Sequence, residues 1–133
     1  MSYINFEYAK NEINSKGYLV FCQRDRKYYD GKNYIEMLYS IDDFYEHRKP
    51  LIIKWKNGFE VKCFPVVGVE QSSMEPDDED YYGEFYTSVE ITEILNDVKD
   101  NFFEIYDKYI EMNIFNIPEI IMLEDGTVLW RSL

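Results

Sequence analysis

The chain has 133 residues, 46% of them hydrophobic and 18% aromatic, and a formal net charge of −12. That length supports one domain whose core removes roughly two-thirds of the unfolded surface from water without staples, and thirteen tyrosines with nine phenylalanines exclude a charge-driven disordered chain. The acidity excludes direct nucleic-acid or anionic-membrane binding, and no stretch approaches the roughly 20 apolar residues of a spanning helix.

Met1 to Lys16 lacks the basic start and apolar run of a secretory signal, which reads as a soluble, cytoplasmic protein. Ile4, Tyr8, Ala9 and Ile13 recur at helical intervals before Gly17, so an N-terminal helix is predicted over about 3–15. GYLVFCQR reads as a strand, DRKYYDGKN as a turn-rich loop around Asp30-Gly31, and YIEMLYS as a second strand completing a hairpin. In SIDDFYEHRKP, Ser40 is placed as an N-cap, Asp42 and Asp43 in the first turn, His47, Arg48 and Lys49 in the last, and Pro50 as a stop. That order complements a helix dipole and predicts a short helix.

LIIKWKNGFEVKCFPVVGVEQ reads as strand, turn, strand, with another strand after Pro65, and Asn57-Gly58 predicts a type I′ hairpin turn. SSMEPDDED is a polar loop and YYGEFYTSV a strand. One long amphipathic helix is predicted over about 91–112, and PEIIMLEDGTVLWRSL closes with a hairpin around Asp125-Gly126. There is no internal repeat or linker. The expected fold is α+β: a single domain, 1–133, with a largely antiparallel sheet on which the long helix packs.

The charge is localised. Glu70 to Glu111 holds fourteen acids against Lys99 and Lys108, so this stretch alone accounts for the net −12. Within it, Glu90, Glu93, Asp97, Asp100, Glu104, Asp107 and Glu111 are spaced by alternating steps of three and four. On a helix they would form one stripe, opposite an apolar stripe of Ile91, Ile94, Leu95, Val98, Phe102, Ile105, Tyr106 and Tyr109. Six successive like-charge pairs would cost such a helix about 1 to 3 kcal/mol at low salt. The seven acids would span roughly 30 Å, about 5 Å per charge, against about 3.4 Å per phosphate along one DNA strand. A solvated outer face is the plain account of such a stripe; mimicry of a phosphate row is the functional one.

The acidic loop Glu75, Asp77, Asp78, Glu79 and Asp80 extends the surface if folding brings it close. Beside it, Tyr81, Tyr82, Phe85 and Tyr86 supply aromatic anchors, although alternate residues of a strand would face the core.

Enzymatic readings have less support. His47 is the single histidine, with the default role of a cation at a helix end. Cys22 and Cys63 sit in apolar runs and read as reduced, half-buried thiols; a Cys-His nucleophile would need one of them to meet His47 in space. EPDDEDYYGE fails as a calcium loop, since reading from Asp78 puts Val89 where a bidentate Glu belongs. Carboxylates for glycoside chemistry abound without a defined cleft, and the six glycines form no phosphate loop. No cofactor and no metal are expected. Arg24, Arg26 and Lys27 form a small basic tip suited to acids of the same molecule or of a second copy, which keeps a homodimer open. The reading is an acidic, non-enzymatic binding module. Most concretely it is an immunity or inhibitor protein covering the basic or nucleic-acid-binding surface of a toxin, nuclease or other nucleic-acid enzyme. The alternatives are a self-associating structural or accessory protein and a small enzyme.

Overall fold

A computed structural model describes residues 19–22, 27–45, 47, 49–71 and 85–132. Leu19–Cys22 (β1) and Lys27–Asp30 (β2) pair as an antiparallel hairpin, and Gly31–Asp42 forms the helix α1. There follow β3 (Leu51–Lys54), β4 (Glu60–Pro65), β5 (Glu70–Gln71), β6 (Phe85–Asn96), β7 (Tyr109–Met112), β8 (Ile120–Leu123) and β9 (Val128–Arg131). These seven strands make one antiparallel sheet in the order β5-β6-β4-β3-β8-β9, with β7 also paired to β6.

Register builds the core. Leu51 lies opposite Cys63, Ile53 opposite Val61 and Ile121, and Val89 opposite Ile110, so one face of the sheet presents fully buried aliphatic side chains. Helix α1 meets this core with Tyr34, Ile35, Met37, Leu38 and Ile41, all buried. Their spacing of one, two, one and three forms a single helical stripe, and each full burial is worth about 1.5 to 3 kcal/mol. The Tyr34 hydroxyl accepts from the Phe85 N–H at 2.7 Å and donates to the Phe85 carbonyl, tying α1 to the start of β6.

The α+β expectation with a long helix is overturned: the molecule is predominantly an antiparallel sheet with one short helix among the described residues. Residues 91–96 continue β6, 97–108 form a loop and 109–112 form β7. Val89, Ile91, Thr92 and Ile94 are β-branched and fit a pleated, paired surface, which β4 supplies by pairing Cys63 with Ile91 and Val61 with Ile94. Asp100 and Asp107 have φ of 57° and 60°, a left-handed geometry that no helix interior accepts. The strand also separates carboxylates that a helix would crowd into one stripe.

YIEMLYS, expected as a strand, belongs to α1, because Tyr34, Ile35, Leu38 and Ile41 follow the helical period. The short helix expected from Ser40 to Lys49 is displaced accordingly. Ser40 is inside α1, donating to the Met37 carbonyl at 2.8 Å, and residues 43–45 and 47 form turns after the helix ends. The N-terminal helix expected over 3–15 lies outside the described residues.

Of the three expected hairpins the first is replaced: DRKYYDGKN, expected as a loop, supplies β2, which pairs with β1, and Gly31 begins α1 instead of a turn. The hairpins at Asn57-Gly58 and Asp125-Gly126 form, with a turn other than type I′. Trp55 N–H donates to the Phe59 carbonyl at 2.9 Å and Gly58 N–H to the Trp55 carbonyl at 3.0 Å; Leu123, Thr127 and Gly126 repeat the pattern at 2.9 and 3.0 Å. Only the glycines, Gly58 at φ 97° and Gly126 at φ 91°, are left-handed there. Each is therefore a three-residue loop closed by a glycine bulge.

Candidate partner-binding surface

Strand β6 changes character along its length. Phe85, Thr87 and Val89 are buried in strict alternation, and then five consecutive residues, 92 to 96, are exposed. Register explains part of this: Ile91 opposes Cys63 and Glu93 opposes Lys62, leaving Thr92 as an extra residue in the ladder. That bulge puts Glu93 on the same face as Glu90, which opposes Phe64, although an odd spacing in a regular strand would separate them. Glu111, opposite Ser88, shares this face.

One of these acids, Glu90, is ion-paired, as is the neighbouring Lys62. Lys108 Nζ lies 2.9 Å from Glu90 Oε1, and Lys62 Nζ 2.7 Å from Glu124 Oε2. Hydrogen bonding to Glu90 and to Glu124 respectively pushes the two lysines' pKa values up.

The other four acids of the spaced series, Asp97, Asp100, Glu104 and Asp107, lie on the loop from 97 to 108 and are exposed. None forms an ion pair among the described residues. The loop is held by its inward residues. Phe103 packs on Trp55 and Phe59 with ring centroids 4.8 and 5.8 Å away, while Val98 and Ile105 pack partly buried against the core. Asn57 Nδ2 donates to Asn101 Oδ1 at 2.9 Å, and Asn96 Nδ2 to the Gly58 carbonyl at 2.7 Å. Beneath, Trp55 Nε1 donates to the Asn116 carbonyl at 2.7 Å. The Asn116 side chain accepts from Asn113 N–H and donates to the Glu111 carbonyl, both at 2.8 Å. A rigid underside thus presents a charged outer side.

Between those carboxylates stand large apolar side chains. Phe102 is 57% exposed, Tyr106 62% and Ile94 46%, with Leu95 and Tyr109 also exposed. Five residues expected in the buried stripe of a helix are therefore open to solvent, and only Ile91, Val98 and Ile105 pack against the core. Sequence reading missed them as surface anchors because the helical period assigned them inward. The signal was Phe102 and Tyr106 each within two positions of an acid, in a stretch with Asn101 and two aspartates suited to turns.

Of the other candidates, Phe85 is buried, and the Tyr86 hydroxyl donates to Glu70 Oε2 at 2.8 Å. Glu75, Asp77, Asp78, Glu79, Asp80, Tyr81 and Tyr82 lie outside the described residues, as do Arg24 and Arg26. Cys63 is a buried free thiol whose pKa burial pushes far up, the opposite of an activated nucleophile. His47 is exposed, its ring 5.1 Å from that of Phe44. Among the described residues no group of three or more His, Cys, Asp or Glu could hold a metal ion, and no helix is long and apolar enough to cross a membrane.

A pinned, acidic surface studded with exposed aromatic and aliphatic groups is what a protein-binding module presents. A family model described as cognate immunity protein YxxD matches residues 32–133, and the chain belongs to that family. The matched region takes in α1 beyond its first residue and the whole seven-stranded sheet. No curated protein and no solved structure matches significantly. As an immunity protein the molecule has a toxin as its cognate partner and an inhibitor's role.

Proposed function

We propose that the cognate toxin is a basic protein acting on nucleic acid, and that residues 93–109 cover its nucleic-acid-binding face. The observation that carries this reading is the interleaving of Glu93, Asp97, Asp100, Glu104 and Asp107 with exposed Ile94, Leu95, Phe102, Tyr106 and Tyr109. Five acids against Lys99 within 93–107 set a negative field that steers a basic partner and accelerates encounter. The apolar groups then hold the complex by leaving water. Without the long helix no evenly spaced row of charges exists, so support comes from the sign and density of the field rather than from a match to phosphate spacing.

Inhibition on this account is steric and electrostatic, with no chemistry on the toxin. Occupying a cationic cleft denies it to the substrate, which carries the same charge. The test is co-expression of the cognate toxin with the wild type and with a Phe102→Ala/Tyr106→Ala double variant. Protection from the toxin is expected to fail with the variant while its unfolding midpoint stays unchanged; full protection by the variant would refute the assignment of this surface.

A further inference from the structure

The exposed end of β6 is an edge as well as a face. Its ladder with β4 runs through to Asn96, opposite Glu60. On its other side β5 pairs with residues 85 and 86, β7 with 87 to 90, and Ile91 N–H donates to the Lys108 carbonyl at 2.7 Å. Beyond that point, among the described residues, no strand pairs with Thr92–Asn96 on the side away from β4. All five residues are exposed, and the loop that follows turns its inward groups, Phe103 foremost, onto the β3–β4 turn.

An unpaired strand edge with backbone groups open to water is a template for an added strand. Natural edges of this kind are blunted by bulges and charge, and β6 has both: extra residues at Thr92 and Leu95, and Glu93. Here the blunting is selective. A carboxylate repels an acidic strand, is indifferent to a neutral one and attracts a cationic one. Ile94 and Leu95, adjacent and both exposed, give side-chain contacts to a strand whose own apolar residues alternate with its charges.

We propose that the edge of β6 at Thr92–Asn96 receives an extended segment of the toxin in which lysine or arginine alternates with apolar residues, added to the sheet as a further strand. This rests on the reading of the toxin as basic and specifies how it is gripped: main-chain hydrogen bonds supply the clamp, Glu93, Asp97 and Asp100 the selection by charge.

The test is residue-resolved amide exchange of the full chain, at two protein concentrations, alone and with a synthetic peptide alternating lysine and valine. One control peptide carries glutamate for lysine, and the other is N-methylated at every residue. The amides of Thr92–Asn96 that do not donate to β4 are expected to exchange fast in the free protein and at least about tenfold more slowly with the lysine peptide, with neither control having this effect. Unchanged exchange with the lysine peptide overturns the proposal. Equal protection by the N-methylated peptide also overturns it, showing attraction by charge without strand pairing and leaving the broader surface reading intact. Equal protection by the glutamate peptide overturns selection by charge. Protection that grows with protein concentration alone would assign the edge to a second copy of this chain.

Discussion

Lys108 Nζ lies 2.9 Å from Glu90 Oε1, although eighteen positions separate them and a helix would hold them about 27 Å apart. The contact follows from Lys108 leading into β7, which runs back along β6 and pairs Tyr109 with Glu90. It partly neutralises one carboxylate of the surface proposed to attract a basic toxin. Replacing Lys108 by Gln is therefore expected to increase the association rate with the toxin at low salt, with little change in dissociation. Stopped-flow association at two salt concentrations checks this; slower association would mean that Lys108 itself contacts the toxin.

The surface depends on the layer beneath it. Trp55 is buried, packs on Phe59 and Phe103, and donates to the Asn116 carbonyl. Trp55→Ala is expected to cost about 3 to 5 kcal/mol, read from urea unfolding. Asn116→Ala, which leaves the Asn113 N–H without its side-chain acceptor and removes one donor to the Glu111 carbonyl, should cost about 1 to 3 kcal/mol. A neutral Asn116→Ala would show that water replaces the side chain.

Tyr34 tests the attachment of α1. Its hydroxyl satisfies both backbone groups of Phe85, so Tyr34→Phe keeps the packed ring and removes only the pairing. The expected loss is about 1 to 3 kcal/mol, with faster amide exchange at Phe85; unchanged exchange there would contradict the tie.

Cys63 is buried and burial holds its thiol in the protonated form. A thiol-specific reagent at mildly alkaline pH is expected to leave it unmodified in the native protein and to react after unfolding. Rapid modification of Cys63 in the native state would reopen a chemical role for it.

Two aspartates give stability opposite dependences on pH. Hydrogen bonds from the Thr127 side chain and backbone lower the pKa of Asp125. Its folded form thus binds fewer protons than the unfolded chain, and its contribution, present at neutral pH, is lost as pH falls through the depressed value. Burial, then the neighbouring Asp42, raises the pKa of Asp43, so its charge opposes folding as pH rises past the usual carboxylate range. Asp125→Asn should lower the unfolding midpoint at neutral pH and Asp43→Asn should raise it, with both differences shrinking in acid. Thermal unfolding at pH 7 and pH 3 decides the signs.

The hairpins were legible because Asn57-Gly58 and Asp125-Gly126 are local signals flanked by apolar runs: the left-handed glycine each turn needs is written in two residues. Residues 90–111 were not, because the same positions satisfy two periods. Acids at steps of three and four fit a helix, while β-branched Val89, Ile91, Thr92 and Ile94 fit a strand. What decides between them is β4, thirty residues earlier, whose pairing a local window cannot see. The same limit hid α1, where a seven-residue aromatic and aliphatic run read as strand until Ile41 extended the helical stripe. The location of the charge, by contrast, needs no fold at all. Moving those acids from a helix face to a strand and loop changed their geometry and left their sign.

The measurement that bears most directly on recognition by charge is the association rate with the cognate toxin as a function of salt, for the wild type and for a variant with Glu93 and Glu104 changed to Gln and Asp97, Asp100 and Asp107 changed to Asn. Association of the wild type should fall steeply with salt, while the variant should associate about tenfold or more slowly at low salt, depend weakly on salt, and dissociate at nearly the wild-type rate. Equal association rates and equal salt dependence would contradict the account and return these carboxylates to the role of a solvated surface.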